Sequence, residues 1–103
     1  HHSTTATTTS YTTKQAAAEC NKRGLNANLN GDTATALLLF LKAYDLNKKV
    51  SYALSAANMH LTRGDCASAI ALYKEILRYP SKLTLKQQCM AERRIAEAWR
   101  SSH

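Results

Sequence analysis

Proline and glycine are nearly missing, with one proline and three glycines in 103 residues. The two strongest breakers of helix are therefore rare, and an alanine-rich chain without them favours helix. Cysteine is sparse as well. Cys20, Cys66 and Cys89 are odd in number and form no C-x-x-C pair, so neither a disulfide framework nor a zinc site is indicated. Small apolar roles are expected of all three, with reduced thiols suiting a cytoplasmic-type compartment. No apolar run approaches the roughly 18 residues of a membrane span. The densest, Ala34–Leu41, is closed by Lys42. No signal-peptide pattern is present, and no membrane partner is expected. The chain opens without Met on His1-His2-Ser3, which reads as a tag remnant ahead of a domain cut from a longer protein.

Catalytic chemistry finds no foothold. There is no glycine-rich phosphate loop, no nucleophile in a recognisable motif and no carboxylate pair with a helical neighbour to work with. His60 falls mid-helix on the packing side, where it reads as a core histidine. The expectation is a protein that is not an enzyme and holds no cofactor or metal.

What the chain does have is repetition. Gly31-Asp32-Thr33-Ala34-Thr35-Ala36-Leu37 returns 33 residues later as Gly64-Asp65-Cys66-Ala67-Ser68-Ala69-Ile70. The same offset carries Phe40 onto Tyr73, Gly24 onto Ala57, Ala43 onto Ile76 and Leu46 onto Tyr79. A period of about 20 to 50 residues points to stacked supersecondary units, each burying its apolar face on the next.

The pattern predicts an all-α chain of about five helices. Residues 1–13 are set apart, because seven threonines dominate them without helical or strand periodicity. Such a tract buries too little apolar surface to offset its ordering entropy, so a disordered tail is expected there and a folded domain over 14–102. Helices are predicted over Lys14–Leu29, Thr33–Leu46, Val50–Thr62, Cys66–Arg78 and Thr84–Ser101. Gly31 and Gly64 should take the left-handed conformation that closes a helix, with Asp32 and Asp65 capping the next. Pro80 stops the fourth helix and pushes Tyr79 out of helical space. Small residues at Gly24, Ala36, Ala57 and Ala69 let paired helices touch, while Phe40 and Tyr73 fill the space between hairpins.

These features resemble the tetratricopeptide repeat family. One unit reads Cys20, Arg23-Gly24, Ala27, Gly31-Asp32, Ala36, Phe40, and the next reads Ala53, Ala56-Ala57, His60, Gly64-Asp65, Ala69, Tyr73, Pro80. Ile95-Ala96, two spacers before Trp99, starts a third. The resemblance implies an α-solenoid segment of two repeats and a third inner, capping helix. It also implies a protein–protein interaction module, an adaptor whose inner helices line a concave groove for a peptide or helix of a partner.

In that case the groove-facing residues are Asn21, Leu25, Asn28 and Leu29 from the first helix, and Leu54, Asn58, Leu61 and Thr62 from the third. The fifth adds Met90, Arg93, Glu97 and Arg100. One amide can donate and accept at once, so asparagines there suit peptide-backbone contacts. The subclass that clamps the C-terminal carboxylates of Hsp70 and Hsp90 chaperones is not matched. Its five positions carry Asn21, Leu25, Ser55, Met90 and Arg94, of which only Arg94 fits.

Net charge is +7, with a basic end from Lys82 to Arg100, so the partner is expected to be somewhat acidic. Nucleic acid is not the expected partner, because no stacking aromatics interleave with the dispersed basic residues. The alternative is a scaffold segment that self-associates or packs on further repeats. Trp99 would then be the exposed residue that a neighbour covers.

Overall fold

Two turns of the same sequence adopt the same geometry. Gly31 and Gly64 both have φ of 81°, a left-handed conformation that only glycine adopts without strain. The amide of Asp32 donates to the carbonyl of Ala27 at 2.9 Å, and that of Asp65 to His60 at 2.9 Å. Each bond satisfies a carbonyl that the end of the helix would otherwise leave open. The Asp32 carboxylate then accepts from the Thr35 amide at 3.2 Å, and Asp65 from Ser68 at 3.1 Å.

These turns organise a computed structural model that describes the backbone of residues 2–102 and the side chains of residues 11–102. In chain order it contains α1 (His2–Leu29), α2 (Thr33–Leu46), α3 (Val50–Thr62), α4 (Cys66–Leu77), a 3-10 turn (Pro80–Lys82) and α5 (Leu85–Ser102). No strand occurs among the described residues, and the chain is all-α. No helix is long and apolar enough to cross a membrane among the residues described.

The boundaries of α2 and α3 are those the sequence predicts. Helix α4 ends at Leu77, and Tyr79 takes φ −124° and ψ 70° ahead of the proline, as the ring demands. Helix α5 starts at a reciprocal cap. The Thr84 amide donates to Gln87 Oε1 at 2.9 Å, and the Gln87 amide donates to Thr84 Oγ1 at 3.1 Å. Helix α1 begins at His2 rather than Lys14, because once a helix is nucleated each further residue adds a hydrogen bond even where propensity is low. The tail expected over residues 1–13 falls mostly on side chains outside those described.

Each helix packs chiefly on its neighbours in sequence, and the molecule measures 56 × 33 × 19 Å. Phe40 and Tyr73 are the largest fully buried side chains, and Ala36, Ala57 and Ala69 are wholly buried. Phe40 packs with Ala36, Ala56 and Met59, while Tyr73 packs with Ala53, Leu54, Ala57, Ala69 and Ile76. A third cluster joins Ala17, Ala43 and Tyr52, with Cys20 against it. Burying an aromatic side chain of this size contributes about 1.5–3 kcal/mol, so these two rings anchor the successive layers. Cys20 and Cys66 are half-buried, but Cys89 is exposed on α5, where an apolar or inter-helix position was expected.

Candidate functional site

The second Gly-Asp turn brings the C-terminal end of α3, the start of α4 and the C-terminal half of α5 around one open cleft. Leu61, Thr62, Cys66, Arg94, Glu97, Ala98 and Ser101 line it. Leu61 packs its inner side on the core cluster of Tyr73, and Thr62 is fixed by donating its hydroxyl to the Asn58 carbonyl at 3.0 Å. Ala98, almost fully buried, lets α5 approach closely.

A polar pair adjoins this cleft through Thr62, whose hydroxyl donates to the Asn58 carbonyl. The Tyr73 hydroxyl donates to Asn58 Oδ1. Burial pushes the Tyr73 phenol above its ordinary value of 10; the positive charge of Arg94 opposes the shift and the negative charge of Glu97 reinforces it. Arg94 and Glu97 thus act on the Tyr73 hydroxyl from α5. Glu97 also pairs with Arg93 one turn back at 3.8 Å. Arg94 is half-buried and has no carboxylate partner among the described residues. A guanidinium held partly out of water with its forked donors free is suited to a carboxylate on a ligand.

The twelve residues expected in the groove are dispersed. Leu61, Thr62 and Glu97 meet in the cleft, and Asn58 is joined to it only through the Thr62 hydroxyl. Leu54 is 5% exposed and belongs to the core, and Met90 packs against the same cluster. Arg93 and Arg100 are exposed on α5 beyond the cleft lining. On α1, Asn21 is half-buried and Leu25, Asn28 and Leu29 are exposed; none of the four lines the cleft. Arg94, Cys66, Ala98 and Ser101 were not anticipated as lining residues. Arg94 carried one signal in the sequence, as a cation inside the basic stretch from Lys82 to Arg100, whereas Cys66, Ala98 and Ser101 carry none.

His60 is partly buried, its Nδ1 3.9 Å from Asp65 Oδ2 at the turn. No group of three or more His, Cys, Asp or Glu able to hold a metal gathers among the described residues. Comparison with known proteins finds no matching family model, no similar curated protein and no similar solved structure.

Proposed function

We propose that the chain is a protein–protein interaction module of tetratricopeptide-repeat type, an adaptor that takes a peptide or helix of a partner protein in the cleft between α3 and α5. The observation that carries this reading is the half-buried Arg94, without a carboxylate partner among the described residues, lining one cleft with Leu61. Leucine takes an apolar anchor, the guanidinium takes a carboxylate, and the net charge of +7 steers an acidic segment inward. The twin Gly-Asp hairpins support the repeat assignment, since they share cap bonds and φ at equivalent positions. The module acts by binding and not by catalysis, and its three free thiols fit a reducing compartment such as the cytoplasm.

Selection from a displayed library of short peptides, followed by NMR mapping of the winners, tests the reading. Winners should combine apolar and acidic residues and shift Leu61, Thr62, Arg94 and Ser101. Arg94→Ala should weaken them about tenfold, the loss of one charge-assisted pair. Peptides that survive Arg94→Ala but are lost on charge reversal at Lys42 or Lys74 would move the site to the outer helices.

A second reading, a scaffold that self-associates, is favoured by α5. Leu85, Cys89, Ala96 and Trp99 share its outer side around Glu92, with Leu85 77% and Trp99 46% exposed. Sedimentation velocity decides it, since this reading requires dimers that Leu85→Ser abolishes.

A further inference from the structure

A second cavity lies near the opposite end of α3. Its volume is about 220 Å³. Four chain segments build it: the end of α2, the start of α3, the end of α4 and the 3-10 turn. Val50, Ala53 and Ile76 supply an apolar floor, with Ala53 and Ile76 buried. Tyr44 and Tyr79 add aromatic surface.

Two cations stand at the rim, each over a ring. Lys48 Nζ is 4.7 Å from the centroid of Tyr44, and Lys82 Nζ is 5.6 Å from that of Tyr79. Such contacts hold an ammonium at a defined place without neutralising it. Lys48 shares its charge with Asp45 at 3.5 Å. Lys82 has no carboxylate partner among the described residues. The one acid in the lining, Glu75, pairs with Arg78 at 3.1 Å, which offsets its repulsion of an anion.

We propose that this cavity is a separate binding site for an aryl phosphate. The size agrees, since a cavity of about 150 Å³ accepts a benzene ring, and the surplus accommodates a substituent. The ring lies on the Val50–Ala53–Ile76 floor beside the tyrosines. The phosphate, carrying about −1.5 to −2 charge at neutral pH, meets the two ammoniums. A neutral aromatic leaves the charge of Lys82 unanswered and that of Lys48 answered only by Asp45, and bare phosphate leaves the apolar floor wet. The same chemistry can arrive as a free small molecule or as a phosphotyrosine side chain.

Phenyl phosphate is the probe, titrated into isotope-labelled protein and followed by NMR. Saturable shifts should appear at Tyr44, Val50, Ala53, Ile76 and Tyr79. Inorganic phosphate and benzyl alcohol should each bind at least about tenfold more weakly, because each keeps only half of the recognition. Lys82→Gln should weaken phenyl phosphate about fivefold, and Glu75→Gln should tighten it by removing a like charge. Both side chains are exposed, so the fold should be retained, with helicity by circular dichroism as the check. A phosphotyrosine peptide binding more tightly than phenyl phosphate assigns the ligand to a protein; equal or weaker binding assigns it to a free molecule. Equal affinity for inorganic phosphate, or shifts that never saturate, overturns the site.

Discussion

The ring of Phe40 lies so close to Gly24 that a β-carbon at position 24 would come within 2.8 Å of its Cε1 and 2.9 Å of its Cδ1. Gly24 is therefore required for contact between α1 and α2, although it sits inside a helix. Alanine there gains up to about 1 kcal/mol in helix propensity, but overpacking against an aromatic ring costs about 1–3 kcal/mol. The clash should win. Gly24→Ala is expected to lower stability in denaturant unfolding by about 1 kcal/mol, the difference of those two effects. In a Phe40→Leu background the same change should become neutral or stabilising. Additive losses in the double variant would contradict the contact.

Gly31 and Gly64 answer to a different constraint. A β-carbon at either would meet nothing within 4 Å, yet both have φ of +81°. Substitution there tests backbone strain alone. Gly31→Ala and Gly64→Ala should each cost about 1–2 kcal/mol, and Gly64→Asn less, because asparagine tolerates the left-handed region. Thermal melts of the three variants check the order.

The hydrogen bond from Tyr73 to Asn58 ties α4 to α3. Tyr73→Phe keeps the packing and removes the donor, so it should cost about 0.5–1.5 kcal/mol. Because the Tyr73 pKa is raised in the folded protein, its contribution is complete below the unfolded value near 10 and is lost as pH climbs through the folded value. Tyr73→Phe should lose less stability between neutral pH and the alkaline range than the parent chain. An unchanged alkaline slope in the variant counts against the shift.

Asp32 and Asp65 give the opposite pH dependence. Hydrogen bonds from Thr35 and Ser68 hold their carboxyls below the usual aspartate value. A depressed folded pKa contributes stability that is present above the unfolded value and lost as pH falls through the folded one. Asp32→Ala and Asp65→Ala should lower the melting temperature at neutral pH. The gap to the parent should narrow as pH falls below the ordinary aspartate range and through the lowered folded values, where both carboxylates protonate. A gap that persists in acid would assign the loss to something other than the caps.

Local rules made much of this molecule legible before any packing was known. Gly-Asp spelled out both turns, Pro80 the end of α4, and the 33-residue spacing the buried positions of Phe40, Tyr73 and the small alanines. These are short-range effects, set by backbone sterics, capping and helical period, so neighbouring residues suffice to read them. The sites were less legible. Arg93 and Arg94 are adjacent in sequence but about 100° apart around the helix, as 3.6 residues per turn requires. Only the rotation of α5 against α4 decides that Arg94 enters the cleft while Arg93 stays outside. Leu54 fits a groove by spacing, yet the approach of its neighbours buries it. The cavity of Tyr44, Tyr79, Lys48 and Lys82 draws on four segments between positions 44 and 82. Helices, caps and layer residues follow from local chain chemistry, whereas distant side chains converge only through the relative rotation of whole helices, which packing sets.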